Sequence, residues 1–314
     1  MLDRQDILAV CPDIPVLVGE PMRRHTSFAI GGPADLMALP NSPAALAALL
    51  TLARRRETPV LLMGNGTNLL VSDRGVRGLV IKTHSGLSGL RRSGECEIVA
   101  GCGALLSELA SAAARWGLSG LAFAHGIPGT VGGAVYMNAG AYGGEMSHVV
   151  RRTSYAGTTG QFGVLTGPAH EFSYRRSFFT GHRGAFALEI TLTLTPGDPE
   201  AIRAETEALD ERRRTSQPLA LPSAGSVFKR PPDGHAAPLI EACGLKGARV
   251  GGATVSDKHA GFIVNNGGAT CDDVRRLIEQ IQERVRAETG VQLEPEIGLV
   301  GDFGAGGAAR GGER

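Results

Sequence analysis

Aromatic residues make up only 5% of the 314, so a stacking surface for bases is not expected. Cysteine is scarce as well: the five, at positions 11, 96, 102, 243 and 271, are odd in number, hold no Cys-x-x-Cys pair and have no histidine at zinc-ligand spacing. That argues against a disulfide framework and a structural zinc, and no metal site is expected. A surplus of either charge is missing too. With 32 Lys and Arg against 31 Asp and Glu the net charge is +1, and without a basic tail the chain lacks the cation excess on which non-specific nucleic-acid binding rests. No apolar run approaches the ~18 residues that span a bilayer, and the opening MLDRQDILAV has no basic start followed by an apolar core and cleavage site. The expectation is a cytoplasmic protein whose partner is a small molecule.

Glycine is what the chain has in excess: 45 residues, roughly double ordinary usage. The final GAGGAARGGER resembles a low-complexity tail, expected over 303–314, whereas the other clusters sit inside patterned sequence. Ser42-Pro43 predicts the cap and first position of a helix running through AALAALLTLARRRE to a basic end. TPVLLMG, RGLVIK and EIVAGCG predict strands, ALLSELASAAARWG a helix with apolar positions recurring at three and four, and FALEITLTLTPG an alternating strand. Beyond Pro196, PEAIRAETEALDERRR and DDVRRLIEQIQERVRAETG predict helices, the second ending at Gly290, with SVFKR and AGFIVNN as short strands. The expected division is an N-terminal segment 1–21, a glycine-rich domain 22–196 of two α+β subdomains split near residue 80, and a compact α+β domain 197–302. No repeat of solenoid period is present.

The first internal glycine cluster, Gly64-Asn65-Gly66-Thr67-Asn68-Leu69, follows an apolar strand and places small residues where main-chain amides can face an anion. It matches neither a P-loop nor a strand-to-helix dinucleotide turn, and on its own a tight turn is the better explanation of it. The second cluster is denser: His125-Gly126-Ile127-Pro128-Gly129-Thr130-Val131-Gly132-Gly133-Ala134, followed by Asn138 to Glu145. Each glycine loses about 0.5–1 kcal/mol more than alanine on ordering, so such density calls for positive φ or close main-chain approach. A long cofactor passing between the two clusters supplies that need. On this basis Gly133→Val is expected to abolish cofactor retention, because a branched residue disfavours positive φ and fills the space where backbone and ligand meet.

HTSFAIGGPADL, GNGTNLLVSD, GIPGTVGGAVYMNAGAYGGE, SYRRSFF, PSAGSVFK, VSDKHAGFIVN and LEPE stand in this order between residues 25 and 296. In that order they resemble the UDP-N-acetylenolpyruvoylglucosamine reductases, flavoenzymes of peptidoglycan precursor synthesis, and the short spacing after SYRRSFF resembles their shorter subtype. The resemblance implies an α+β fold: a two-subdomain FAD-binding domain of the vanillyl-alcohol-oxidase (PCMH) type, followed by a C-terminal α+β substrate-binding domain. It implies non-covalent FAD, with His125 the one candidate for covalent attachment in the glycine loops, and NADPH as co-substrate. The cofactor residues it implies are Gly64, Asn65, Gly66, Thr67, Asn68 and Leu69, with Gly126, Ile127, Pro128, Gly129, Thr130, Gly132, Gly133 and Ala134. The implied reaction reduces the enol ether of a UDP-linked enolpyruvyl sugar to a lactyl ether, with no membrane, nucleic-acid or obligate protein partner.

The same resemblance assigns three catalytic residues. Arg175 would stabilise the enolate, its planar cation engaging a carboxylate through two parallel hydrogen bonds. The neighbouring Arg176, expected to face the other way in an extended segment, has no catalytic role. Ser226 would deliver the proton, for which alignment counts more than acidity, with Ser223 the residue most easily confused with it. Glu296 would act in its protonated form, which requires burial; Glu294 is its plain neighbour. Tyr174, Lys229 and Lys258 are substrate candidates, and His259 is expected to be structural. Two positions depart from the family: Glu296-Ile297-Gly298 replaces the usual Glu-Val-Arg, and Phe228-Lys229-Arg230-Pro231 the usual Phe-Lys-Asn-Pro. Two other functions stay open on the residues alone, a flavin oxidase or dehydrogenase of the same fold and a binding protein that has lost catalysis.

Overall fold

A computed structural model describes residues 2–304 apart from His84, Ser85, Arg183 and Asp233, so the expected tail from 305 onward lies outside the described residues. The chain partitions into two compact units. The first takes the residues up to Val18, Leu36–Asn65 and Gly78–Arg213; the second takes Gly19–Asp35, Gly66–Arg77 and the chain from Arg214. These units differ from the linear division at Pro196: two early stretches join the C-terminal unit, and most of the helix after Pro196 stays with the first.

The first unit holds α1 (Arg4–Val10), α2 (Pro43–Arg55), α3 (Leu106–Arg115), α4 (Ala122–His125), α5 (Val131–Met137), α6 (Phe178–Gly181) and α7 (Pro199–Ser216) as far as Arg213. Its largest sheet is antiparallel, in the order Phe162–Thr166, Val150–Gly157, Ala185–Thr193, Glu97–Gly101, Leu90–Ser93. Val60–Met63 pairs in parallel with the end of Val76–Lys82, Val60 opposite Leu79. As the sequence predicts, Ser42 caps α2: its hydroxyl accepts from the Ala45 amide at 3.2 Å, and Pro43 takes the first position. Leu46, Leu49, Leu50 and Ala53 form its buried face, each leucine contributing about 1.5–3 kcal/mol of burial. The helix α5 was not expected, because it lies inside the glycine block. Its ends explain it: the Thr130 hydroxyl caps the start and Asn138, at φ 42°, closes the end in the left-handed region.

The second unit holds α8 (Ala236–Ala242) and α9 (Cys271–Thr289) with an antiparallel sheet in the order Ser223–Ser226, Phe262–Asn265, Ala253–Val255, Arg249–Val250. Thr270 and Asp273 form a reciprocal capping box at the start of α9, Gly290 ends it at φ 75°, and Val274, Leu277, Ile278, Ile281 and Val285 form its buried face. Long-range bonds recruit the two early stretches. Leu69–Val71 pairs in parallel with Gly298–Val300, and the Asp73 carboxylate accepts from the Cys271 and Asp272 amides at 2.8 and 3.0 Å. The Ser27 hydroxyl donates to the Ser223 carbonyl at 2.7 Å and Asn265 Nδ2 to the Phe28 carbonyl at 3.1 Å. Phe28, Ile30 and Leu70 accordingly belong to a core with Val227, Ile263 and Ile281. The strand expected over SVFKR is not formed: the observed one, Ser223–Ser226, ends where it was to begin, and pairing resumes only as a bridge between Phe228 and Pro295.

Candidate functional site

In the first unit the two glycine clusters come together. The strand Val60–Met63 delivers Gly64 against Thr130 so closely that a Cβ at Gly64 would lie 2.1 Å from the Thr130 hydroxyl oxygen. Asn65 Nδ2 then donates to the Pro128 carbonyl at 2.9 Å. The second cluster is fixed by its own main chain: the Leu106 amide donates to Gly129, Val131 to Ala104 and Gly132 to Cys102, at 2.8–3.0 Å. A Cβ on Gly132 would sit 2.8 Å from the Cys102 Cβ, so glycine is required there by packing. Ile127 donates to the Ala124 carbonyl and Ala134 to Thr130. At Gly126, α7 closes over the loop: Arg213 Nη1 donates to the Gly126 carbonyl, and His125 Nδ1 lies 2.8 Å from Asp210 Oδ2. The Asp210 and Arg213 contacts were not foreseen, since nothing in a charged helical repeat marks which residue meets a loop 85 positions away.

Gly133 corrects the expectation placed on it. It lies in the first turn of α5, not in a positive-φ conformation, and a Cβ there would meet only the Thr130 hydroxyl at an ordinary 3.5 Å. The close approach belongs instead to Gly64 and Gly132. The remainder of the first cluster, Gly66, Thr67, Asn68 and Leu69, lies in the second unit, where Gly66 at φ 64° accepts from the Ser27 amide. The residues expected to meet the cofactor in the first unit are of a kind that fits FAD: their main chain is small and tightly anchored, and a Cβ added at Gly133 would meet only the Thr130 hydroxyl.

Arg175 is not in an extended segment. Ser173 and Arg176 exchange two amide-to-carbonyl bonds of 3.1 Å, which makes Tyr174-Arg175 the centre of a two-residue turn with Arg175 at φ 55°. A non-glycine residue in that region is strained and persists only where its surroundings hold it. The guanidinium carbon lies 5.3 Å from the Tyr174 ring centroid, and Nη1 is 3.5 Å from the Gly140 carbonyl. Tyr174 is half exposed.

In the second unit Ser226 and Glu296 are drawn into neighbouring segments. The Val227 amide donates to Gly261 at 2.8 Å, the Glu296 amide to Val227 at 2.7 Å and the Lys229 amide to Glu294 at 2.9 Å. Gly225, at φ 79°, sits where the ladder register shifts between Ser223 and Ser226, and this irregularity presents Ser226 to solvent. Glu296 is half-buried, and its carbonyl accepts from Asn68 Nδ2 at 3.3 Å. Lys229 forms an exposed ion pair with Glu294 at 3.2 Å, and Lys258 Nζ donates to the Arg214 carbonyl. His259 behaves as a structural residue: Nδ1 accepts from the Gly261 amide at 3.1 Å, the ring meets Phe262 edge-on, and burial lowers its pKa. At the first departure, Gly298 pairs with Leu69 and a Cβ would come within 3.2 Å of the leucine side chain. Among the described residues no cluster of metal-ligating side chains occurs, and no helix is long and apolar enough to cross a membrane.

A family model described as the C-terminal domain of UDP-N-acetylenolpyruvoylglucosamine reductase matches residues 217–300, and one described as an FAD-binding domain matches 34–162. The reductase of that name from Caldanaerobacter subterraneus subsp. tengcongensis is 47% identical over 287 residues, covering 91% of this chain and 93% of the relative. The one from Alkaliphilus oremlandii is 47% identical over 293 residues, covering 93% and 96%. The crystal structure of the Thermus caldophilus reductase superposes with a TM-score of 0.77 at 35% identity, covering 91% of this chain and 98% of that one.

Proposed function

Because the chain belongs to the UDP-N-acetylenolpyruvoylglucosamine reductase family and carries its FAD-binding domain, we propose that it reduces UDP-N-acetylglucosamine enolpyruvate to UDP-N-acetylmuramate at the expense of NADPH, with Arg175, Ser226 and Glu296 as catalytic residues. FAD, held without a covalent link, would supply the hydride chemistry that couples NADPH to the terminal carbon of the enolpyruvyl double bond. Negative charge then builds on the adjacent carbon and its carboxylate. Arg175 is a permanent cation suited to hold that charge, and Glu296 in its protonated form donates a hydrogen bond to it. Ser226 gives its hydroxyl proton to the carbon that bears the ether oxygen and recovers one from solvent. Tyr174, Lys229 and Lys258 contact the substrate. The residues that would hold the cofactor are Gly64 to Leu69, Gly126 to Thr130, and Gly132, Gly133 and Ala134, and the enzyme works in the cytoplasm, where NADPH and nucleotide sugars are available.

The observation that carries this assignment is the lacing of 226–229 to 294–296, which gives two distant motifs one local frame in the second unit. The test has two parts. The purified protein should be yellow and release its flavin on acid precipitation, and it should oxidise NADPH only when the enolpyruvyl sugar is present. Flavin left on the precipitated chain overturns the non-covalent assignment. NADPH oxidation that is indifferent to the sugar but dependent on oxygen would indicate an oxidase instead.

A further inference from the structure

Asn138 is 1% exposed and uses its whole side chain. Nδ2 donates to the Ser173 carbonyl at 3.1 Å and to Glu145 Oε1 at 3.0 Å, while Oδ1 accepts from the Ser147 amide at 2.9 Å. The Ser173 carbonyl is the one that closes the Tyr174-Arg175 turn. On the far side of the turn, Ser177, also 1% exposed, donates from its hydroxyl to the Tyr136 carbonyl at 2.8 Å. Both ends of the turn are thus fastened to the C-terminal end of α5, one by its cap Asn138 and one by Tyr136. The guanidinium itself reaches Gly140, which pairs with Glu145 across a short hairpin.

From this geometry we infer that Asn138 is a positioning residue for Arg175, holding the strained turn in the one conformation that presents the guanidinium to the substrate carboxylate. The inference rests on the assignment of Arg175 above. The strain at Arg175 makes a holder necessary: without the Ser173 bond the turn can relax to negative φ and swing the side chain away. Glu145 completes the arrangement as a carboxylate. The Ser147 hydroxyl first, then the Asn138 amide and the positive charges of His148 and Arg175, hold its pKa below the ordinary value against a burial that would raise it. A misplacement of about 1 Å can cost ~10²-fold in rate, so the bond geometry suffices for a large effect without substrate contact.

The experiment is a double-mutant comparison by stopped flow on the flavin-loaded enzyme. Asn138→Gly keeps the left-handed backbone and removes all three side-chain bonds. It should retain flavin, leave flavin reduction by NADPH within about twofold, and slow reoxidation by the enolpyruvyl sugar by about 10- to 100-fold. Added to Arg175→Ala, the same substitution should cost less than about threefold more, because the residue it positions is gone. Hydrogen exchange supplies a reading independent of turnover: amides of residues 173–177 should exchange faster in Asn138→Gly. If the glycine variant fails to hold flavin, Asn138→Asp, which retains the αL tolerance and the acceptor for Ser147, takes its place. Equal losses with and without Arg175, equal slowing of both half-reactions, or loss of flavin in both variants would overturn the inference and leave Asn138 a structural cap. A normal Asn138→Gly enzyme beside a crippled Arg175→Ala removes only this inference, whereas a normal Arg175→Ala enzyme removes the Arg175 assignment and this inference with it.

Discussion

Around Gly64, Gly129 and Gly132 in the first unit, main chain rests directly on neighbouring residues, and what matters is the absence of side chains. Around Ser226 and Glu296 in the second, a shifted ladder and a set of loop-to-loop bonds hold one exposed and one half-buried polar side chain on neighbouring segments. A surface made of main chain tolerates little added volume and is indifferent to chemistry, whereas a surface made of side chains tolerates truncation structurally and is sensitive to the loss of a single functional atom. Substitutions in the two regions should therefore fail in different ways.

Ser226→Ala should give the largest effect and the purest chemical failure. Flavin reduction by NADPH should proceed normally while reoxidation by the enolpyruvyl sugar falls by the ~10²–10⁴ typical of general acid catalysis, or further if no water substitutes. Ser223→Ala should change neither rate, since its main-chain carbonyl, not its hydroxyl, accepts the Ser27 bond. Stopped-flow absorbance separates the halves, and equal slowing of both would return Ser226 to a structural role. In the first unit Gly64→Val should fail by volume: the new atoms meet Thr130, overpacking costs about 1–3 kcal/mol or more, and flavin is lost together with denaturant resistance. Gly133→Ala is its control and should match the parent in denaturation of the flavin-free protein. If the two glycines prove equally costly there, the distinction drawn between them is wrong.

Acid should affect both units in the same direction. Burial lowers the pKa of His170, which is held between the Thr153 hydroxyl and the Gly167 carbonyl, and also that of His259. The unfolded chain takes up these protons near pH 6.5, before the folded chain does, so it binds more of them below that value. Stability from each group is complete above about pH 6.5 and declines as the pH falls toward the lowered folded pKa, by at most about 1.4 kcal/mol per pH unit. Urea denaturation at pH 7.5 and 5.5 measures the decline, and it should shrink in His170→Gln. Lys229→Ala should have the smallest effect on stability, below about 1 kcal/mol, because its ion pair with Glu294 is exposed. A raised KM for the UDP-sugar at unchanged stability would then report lost substrate contact, and an unchanged KM would remove Lys229 from the substrate residues.

Local signals in the sequence were sufficient where the physics is local. Ser42-Pro43 and Gly290 mark helix ends because caps act within a turn, and the buried faces of α2 and α9 follow from residue spacing. Glycine density pointed to close approach but not to what was approached, which is why a positive φ was wrongly expected at Gly133: it occupies a helix whose start and end depend on Thr130 and Asn138. The extended geometry expected at Arg175 failed for a similar reason, since the turn is fixed by Asn138 and Tyr136, some 35 and 41 residues from the groups they hold. The partition into units was the least accessible, because it depends on pairing Leu69–Val71 with Gly298–Val300.

That pairing carries a consequence for synthesis. On a ribosome the chain emerges from its N-terminus, so Phe28, Ile30 and Leu70 leave the exit tunnel well before the α9 and Gly298–Val300 residues that complete their core. Throughout that interval three large apolar side chains and an unpaired strand have no native partner to cover them. Such contacts of high sequence separation fold slowly and leave nascent chains open to self-association. Yield in the cell should therefore depend on chaperone supply and elongation rate more than the final stability of either unit suggests.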